Sequence, residues 1–364
     1  MTIKIHILKK IDQLVGRLIA FFPKTSGTQY PIKTNIRKVL FIRPGGIGDA
    51  TLLIPAICIL KKKLPYVLIS VLAEKRNAAV FYMCPIISEL FLYDKPKELL
   101  KVIRSEFDVV IDTEQWHLMS AVVARMEGSA VSIGFATNER KRLFTHLVPY
   151  SHDDYEGDSF FHLLEPLGVV AENGVLSDLI TPDEAIKKAV LLLGDFEKKP
   201  FVAIFPGSSV PEKRWDVSKF VMLTKVLNQV GFPVIVIGSA LEKATGEVIS
   251  YNNDVLNIAG KTSLLETAAV INKALVLISG DSGVLHIAAG LGRPTVSLFG
   301  PSNVKKWAPR GGRHIVISKD LECSPCSKFG YTPKCPINAK CMAEISVDEV
   351  VEAVIKLIEA SQSV

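Results

Sequence analysis

Two glycine-containing turns combine backbone freedom with polar and charged side chains. Arg43-Pro-Gly-Gly-Ile-Gly-Asp49 follows the apolar run Lys38–Ile42, and Ser279-Gly-Asp-Ser-Gly-Val-Leu-His286 ends the apolar run Leu275–Ser279. Glycine allows a sharp turn from a strand into a helix and lets another group approach the backbone closely. The free N–H groups at the start of the helix then attract phosphate. Both turns are therefore candidate anion-binding sites.

The second turn has two interpretations. Asp281 and Ser282 could serve only as caps of the predicted helix Val284–Leu291. Alternatively, the backbone N–H groups of the turn could hold a bound anion. His286 favours the anion site, because it lies in the first helical turn, where a cation can also face a bound anion.

The first turn does not match two common phosphate-binding motifs. Its glycines depart from G-x-G-x-x-G and the Walker lysine is absent, so neither a dinucleotide fold nor a P-loop is supported. Asp49 stands at the mouth of the loop, before the predicted helix Ala50–Leu64. A carboxylate there could cap the helix or act as a base, and spacing alone favours capping.

A third polar segment, Pro206–Trp215, follows another apolar run. Gly207, Ser208 and Ser209 offer backbone and hydroxyl donors at a strand end, and Lys213 or Arg214 could neutralise a phosphate. Further strands are predicted at Val67–Leu72, Leu90–Tyr93, Val109–Asp112, Val131–Phe135, Phe201–Phe205, Val234–Ile237, Val255–Ile258 and Thr295–Phe299. Helical segments separate most of them, which predicts two consecutive α/β, Rossmann-like domains facing across a cleft.

Length and composition suit this organisation. The chain has 364 residues, enough for two domains, and a net charge of +6 that favours an anionic partner. The sequence has no basic run interleaved with aromatic residues, the pattern that would indicate nucleic-acid binding. It also has no uncharged run long enough to span a membrane. We predict an amino-terminal helix and linker at 1–35, a first domain at 36–195, and a second at 196–364 that includes a cysteine-rich segment and a final helix.

The amino-terminal segment Ile3–Phe22 alternates apolar and basic positions at helical spacing. It could lie on an anionic membrane surface or pack on the protein itself. Because its apolar stretch is interrupted by Asp12, Gln13 and Arg17, it does not match a secretory signal, which predicts a cytoplasmic protein.

Four of the six cysteines fall within nineteen residues. Their pattern is Cys323-x2-Cys326-x8-Cys335-x5-Cys341. In a reducing compartment such a cluster suggests a structural zinc site. The four cysteines could also be reduced thiols without a metal, or form one or two disulfides.

Taken together, these motifs resemble the ADP-heptose:lipopolysaccharide heptosyltransferases, glycosyltransferase family 9. The resemblance rests on the Arg43–Asp49 loop, which continues to Pro55, on the Ser279–His286 turn, on Phe205-Pro-Gly-Ser-Ser with Lys213-Arg214-Trp215, and on the cysteine-rich tail. It covers Lys38 to Ala360 and implies an α/β GT-B fold of two Rossmann-like doubly wound domains. The acceptor would bind the first domain and the nucleotide sugar the second.

The resemblance also implies roles for individual residues. Asp49 would be the general base that deprotonates the acceptor hydroxyl, within a loop (Arg43, Gly46 and Gly48) that binds the acceptor, where Arg43 would contact a phosphate. Lys213 and the N–H groups of Ser282 and Gly283 would stabilise the departing diphosphate, so that no metal cofactor is required for catalysis. The remaining predicted donor contacts are Ser208, Ser209, Arg214, Glu242 (at the ribose), Asp281 and His286.

The predicted reaction is inverting heptose transfer from ADP-heptose to an anionic, lipid-linked lipopolysaccharide core acceptor at the cytoplasmic membrane face. A family member with another nucleotide-sugar donor would have a similar sequence. The same motifs could also belong to a sugar-nucleotide epimerase, which would turn over without an acceptor, or to a nucleotide-sugar-binding protein without catalysis.

Overall fold

The computed structural model describes residues 32, 35–170, 179–251, 254–328 and 330–362. The chain divides into two compact units, Met1–Asp178 (unit 1) and Leu179–Val364 (unit 2). The predicted amino-terminal helix at Ile3–Phe22 lies outside the described residues. Within the described ranges, no helix is both long enough and apolar enough to cross a membrane.

Unit 1 contains a six-stranded parallel sheet of order β3-β2-β1-β4-β5-β6. Its strands are β1 (Lys38–Arg43), β2 (Leu68–Ala73), β3 (Glu89–Leu92), β4 (Val109–Asp112), β5 (Val131–Phe135) and β6 (His146–Val148). Its helices are α1 (Ile47–Lys63), α2 (Ala78–Tyr82), α3 (Pro96–Ile103), α4 (Leu118–Glu127) and α5 (Glu156–His162).

Unit 2 also contains a six-stranded parallel sheet, of order β12-β11-β10-β7-β8-β9. Its strands are β7 (Val202–Phe205), β8 (Val234–Val236), β9 (Val255–Asn257), β10 (Val276–Gly280), β11 (Thr295–Phe299) and β12 (His314–Ser318). Its helices are α6 (Asp183–Leu193), α7 (Val217–Gln229), α8 (Lys243–Ser250), α9 (Leu264–Lys273), α10 (Gly283–Gly290), α11 (Val304–Trp307), α12 (Lys340–Ala343) and α13 (Val347–Gln362).

The two sheets share one topology. In each, the first strand of the unit lies beside the fourth, and the order reverses between them: β1 beside β4, and β7 beside β10. The central strands are buried along nearly their whole length, as expected for apolar runs covered on both faces. Ligands of such sheets bind at the carboxyl ends of the strands where the order reverses. The Arg43–Asp49 loop and the Ser279–His286 turn both lie at such an edge.

The two units meet between Asp178 and Leu179, whereas the sequence predicted a domain boundary after residue 195. Helix α6 belongs to unit 2, because its apolar face packs against the core that Phe201 and Val270 share. Ala189 is fully buried in that core, and Lys188 forms an ion pair with Glu266 of α9 (Nζ–Oε1 3.4 Å).

Central strands matched the sequence predictions better than edge elements. β4, β5 and β11 have the predicted bounds, whereas β6, β12 and α3 were not predicted. β6 has only three residues, and the residues of β12 are at most partly buried, so neither is a fully buried apolar run. α3 is a short surface helix with a single buried residue, Val102.

Candidate functional site

In unit 1, Asp49 lies in the first turn of α1, at the carboxyl edge of β1. Gly46 is the N-cap of this helix. A Cβ atom at Gly46 would lie 2.5 Å from Asp49 Oδ2. The carboxylate therefore occupies space that any side chain at position 46 would fill, and only glycine leaves that space open. Gly45 has φ +108°, a conformation that also favours glycine, while Gly48 lies within the first turn of α1. The glycine loop therefore positions the Asp49 carboxylate.

Arg43, the last residue of β1, is buried, and its guanidinium donates hydrogen bonds to three oxygen atoms of the protein. Its Nε donates to the Pro44 carbonyl (2.7 Å), its Nη1 to the Thr113 carbonyl (2.8 Å) and its Nη2 to Glu114 Oε2 (2.9 Å). Burial would lower its pKa, but the carboxylates around it, Glu114 first, outweigh that effect and raise it. The predicted contact of Arg43 with an acceptor phosphate is not supported, because this guanidinium instead fixes the loops after β1 and β4.

The same carboxylates shape the acidity of Asp49. Burial raises the pKa of Asp49 from 3.8 to about 6; the positive charge of Arg43 opposes this shift, while Glu156 and Glu114 add to it. At pH 7 the group is therefore mostly ionised yet close to its pKa. A carboxylate in that condition is suited to accept a proton and release it again.

Glu156 begins α5, which packs against α1, and is fully buried. Tyr150 Oη donates to its Oε2 (2.8 Å), and the side-chain amide of Gln115 donates to its Oε1. Burial followed by the Glu156 charge raises the pKa of Tyr150 far above its ordinary value, so Tyr150 remains a hydrogen-bond donor. These contacts bring the ends of β4 and β6 and the start of α5 together beside Asp49.

Arg140 is the buried member of the basic run Arg140–Arg142, in which Lys141 is exposed. Arg140 is fully buried and forms an ion pair with Asp112, the last residue of β4. Burial raises the pKa of Asp112, although Arg140 acts in the opposite direction. The pair therefore anchors the 3-10 turn Glu139–Leu143 to the carboxyl edge of the sheet.

In unit 2, Lys213 and Asp281 form an ion pair between the segment after β7 and the turn after β10 (Nζ–Oδ2 2.7 Å). Ser302 Oγ donates to the same carboxylate oxygen (2.5 Å). Burial alone would raise the pKa of Asp281, but the charge and hydrogen bond of Lys213 lower it below its ordinary value. Lys213 is thus held at the switch point of the sheet, whereas Arg214 is exposed and donates to the Ser208 carbonyl (Nη2–O 3.1 Å).

His286 lies inside α10 and is buried. Burial lowers its pKa, Asp281 partly opposes the shift and Lys213 adds to it. The imidazole is therefore neutral near pH 7, which does not favour the predicted role of a cation facing an anion. Within the described part of the chain, two buried polar atoms here have no hydrogen-bond partner: His286 Nδ1 and Ser208 Oγ. Ser209, by contrast, is exposed.

The amino terminus of α10 is capped by Ser282, as one of the two interpretations of the sequence predicted. Ser282 is the N-cap, and its Oγ accepts a hydrogen bond from the Leu285 N–H (3.3 Å) and contacts Ser279 Oγ (2.8 Å). Gly283 is the first helical residue. Capping does not exclude anion binding, because the hydroxyl satisfies only one of the free N–H groups at the helix start.

Glu242 closes the turn after β8. Its Oε2 accepts from the N–H of Ser239 (2.8 Å) and from the Ser239 hydroxyl (2.6 Å). A Cβ atom at Gly207 would lie 2.6 Å from Glu242 Oε1, and one at Gly238 2.6 Å from Glu242 Cβ. The two glycines thus let the turns after β7 and β8 meet around one carboxylate.

The predicted zinc site is not supported. Among the described residues, no group of three or more His, Cys, Asp or Glu side chains is arranged to hold a metal ion. Cys341 is buried, with its Sγ close to Gly300, and Cys323 is exposed; the described cysteines are free thiols. Burial raises the pKa of Cys326 and Cys341, and the neighbouring cysteines raise it further.

Sequence reasoning missed the polar partners that surround the predicted residues. These are Glu114, Gln115, Tyr150 and Glu156 in unit 1 and Ser302 in unit 2. One signal was available, because Asp112-Thr-Glu-Gln-Trp116 places polar residues directly after a predicted buried strand. Glu156 and Ser302 gave no such signal.

The profile of Glycosyltransferase family 9 (heptosyltransferase) matches residues 97–335, more than half of the chain. The chain belongs to this family. It is therefore a glycosyltransferase. The resemblance inferred from its motifs is confirmed.

Individual relatives extend the similarity. The chain is 29% identical over 256 residues to lipopolysaccharide heptosyltransferase 3 of Escherichia coli K12, an alignment that covers 64% of this chain and 73% of the relative. The crystal structure of the glycosyl transferase family 9 from Veillonella parvula superposes with a TM-score of 0.77 at 20% identity, covering 92% of this chain and 100% of the other. E. coli ADP-heptose lipopolysaccharide heptosyltransferase II gives 0.74 at 21% identity, over 89% and 99%. These structures confirm the predicted α/β GT-B fold of two Rossmann-like units.

Proposed function

We propose that this glycosyltransferase transfers heptose, with inversion, from ADP-heptose to a lipopolysaccharide core acceptor. The observation that carries the proposal is the Asp49 carboxylate, held over Gly46 at the carboxyl edge of β1, with a pKa near 6. An inverting displacement at an anomeric carbon needs such a base beside the acceptor hydroxyl.

On the acceptor side, Asp49 removes the hydroxyl proton as the acceptor oxygen forms a bond to the anomeric carbon of the sugar. The bond from that carbon to the diphosphate oxygen breaks at the same time, and ADP leaves with the electron pair. Arg43, Glu114 and Glu156 set the charge around Asp49 and do not react. Their balance keeps the base ionised near neutral pH yet able to take a proton.

On the donor side, Lys213 and the N–H groups of Ser282 and Gly283 stabilise the negative charge that develops on the leaving diphosphate. Asp281 and Ser302 hold Lys213 at the turn. Ser208 Oγ and His286 Nδ1 are buried polar atoms without a described partner, which a bound donor would satisfy. Glu242 lies between the turns after β7 and β8. In this proposal its carboxylate accepts hydrogen bonds from the ribose hydroxyls.

The relatives support the choice of substrates. One is a lipopolysaccharide heptosyltransferase, and another is an ADP-heptose lipopolysaccharide heptosyltransferase. The net charge of +6 suits an anionic, lipid-linked acceptor at the cytoplasmic face of the inner membrane. We place the enzyme there as a peripheral protein.

The test combines the full-length protein with ADP-heptose and other nucleotide sugars, together with lipopolysaccharides truncated in the inner core, and identifies products by mass spectrometry. Wild type should add one heptose. Asp49→Ala should lower transfer by about 10³-fold or more while ADP affinity changes little, because the base acts on the acceptor. Asp320→Asn, a change at an exposed aspartate of unit 2, serves as the control.

Two outcomes contradict the proposal. Asp49→Ala with near wild-type transfer would remove Asp49 from the role of base. Turnover of the nucleotide sugar without any acceptor would indicate an epimerase instead.

A further inference from the structure

Three aromatic side chains cluster beside the carboxylates of unit 1 and have no part in the proposed chemistry. The rings of Trp116 and His152 stack with centroids 5.2 Å apart and planes only 4° from parallel. Tyr150 stands perpendicular to both, at 6.4 Å from Trp116 and 5.1 Å from His152. We call these three residues the aromatic platform.

Hydrogen bonds hold the platform in place. The backbone N–H of Trp116 donates to Glu114 Oε1 (3.1 Å), and its backbone carbonyl accepts from Asn138 Nδ2 (2.8 Å). Tyr150 donates to buried Glu156 (2.8 Å), and its ring packs against Phe135 at 4.9 Å. Hydrogen bonds therefore fix the Trp116 backbone and the Tyr150 side chain, and ring contacts with both join His152 to them.

The platform also lies at the reactive edge of the sheet. Trp116 follows β4 and Tyr150 follows β6, so both stand beyond the carboxyl ends of parallel strands. Glu114, which holds Trp116, also pairs with Arg43, the last residue of β1. The charge of Asp49 acts on Tyr150, so the two side chains lie within electrostatic range of each other.

Exposure separates the platform from an ordinary core cluster. Trp116 and Tyr150 are partly exposed and His152 is exposed, whereas Phe135 and Phe160 nearby are fully buried. Rigid aromatic surface left partly in water beside a row of carboxylates suits a ligand with one apolar face and several hydroxyls. A pyranose ring has that character, since its C–H groups can lie on the aromatic ring while its hydroxyls meet the polar groups around it.

We propose that the aromatic platform is the acceptor saccharide subsite, in which Trp116 with Tyr150 and His152 packs against the apolar face of a pyranose ring and orients its hydroxyl toward Asp49. This inference rests on the proposed transfer to a saccharide acceptor. It assigns acceptor recognition to residues after β4 and β6, in place of the Arg43 contact that burial of the guanidinium does not support.

The experiment measures steady-state kinetics with ADP-heptose and O-deacylated, inner-core-truncated lipopolysaccharide, using the full chain. Trp116→Ala should raise the acceptor KM by about tenfold, with ADP affinity and donor KM within twofold of wild type. Trp116→Phe keeps a flat aromatic face and should restore most of the loss. Tyr66→Ala removes a 93% exposed aromatic near the amino end of β2 and should leave the acceptor KM unchanged.

A second measurement does not depend on variant folding. Saturation-transfer difference NMR on wild type, with irradiation of the aromatic protons, should label the C–H protons of one acceptor sugar ring. An unchanged acceptor KM in Trp116→Ala, or no transfer from aromatic protons to the sugar, overturns the subsite. Failure of wild type to transfer any sugar would instead reject the proposed function, so the two failures are distinguishable.

Discussion

At the scale of single residues, the proposed base Asp49 is a carboxylate whose burial destabilises the folded state at neutral pH. Its pKa in the folded protein is raised from 3.8 to about 6, so between these values the folded protein holds a proton that the unfolded chain releases. Stability therefore falls as pH rises from about 4 to 6, and the full penalty is present at pH 7.5.

This sign gives a prediction that does not depend on activity. Asp49→Asn should stabilise the protein at pH 7.5 by about 1–2 kcal/mol, after allowance for the partial exposure of the side chain, and by much less at pH 4. Urea unfolding at the two pH values measures the difference. The control Asp320→Asn, at an exposed aspartate, should show no such pH-dependent gain. If Asp49→Asn is instead less stable than wild type at pH 7.5, then attraction to Arg43 stabilises the ionised Asp49 by more than its burial destabilises it.

At the scale of elements, glycine turns after the strands bring the polar groups together. Gly46 makes room for Asp49, and Gly207 and Gly238 let two turns of unit 2 close around Glu242. These glycines follow β1, β7 and β8, at the edge where ligands of doubly wound sheets bind.

Gly207→Ala tests this arrangement. The added Cβ would lie 2.6 Å from Glu242 Oε1, so the carboxylate must move away from its place between the turns. We expect ADP affinity to fall by about tenfold in calorimetric titration, because the proposed ribose contact is lost. Gly312→Ala, where an added Cβ meets no atom within 4 Å, is the matched control. ADP affinity within twofold of wild type in Gly207→Ala would remove Glu242 from the donor site.

For the molecule as a whole, the repeated strand order in both units explains why two separate edges carry polar residues. Each sheet has its own switch point, and the acceptor and donor sides of the proposed reaction are assigned to different units. Unit 2 also needs helix α6, whose Ala185, Ala189 and Leu193 are buried in its core.

The extent of unit 2 can be measured with two fragments. A fragment of residues 179–364 should unfold cooperatively, whereas one of residues 196–364 should be destabilised by about 3–5 kcal/mol, because the core beneath α6 becomes exposed. Urea unfolding followed by circular dichroism checks this. Equal stability of the two fragments would support the boundary at residue 195 that the sequence suggested.

The sequence by itself determined the class of the protein and the central frame of each sheet. Apolar runs such as Val109–Asp112 and Thr295–Phe299 are buried on both faces, so local composition alone predicts them. The turns that follow carry Asp49 and Asp281, whose residue types and spacing already indicated an anion or acceptor site.

Tertiary structure alone decided the partners and charges of those residues. Arg43 and Glu114, and likewise Lys213 and Asp281, are brought together by strand crossovers, which leave no local pattern in the sequence. Whether a side chain is buried depends on residues from elsewhere in the chain that cover it. Burial directs the hydrogen bonds of Arg43 to protein oxygens and lowers the pKa of His286, so that its imidazole is neutral. The same covering raised the pKa of Asp49 toward neutrality, since desolvation is a property of the assembled fold and not of the residue.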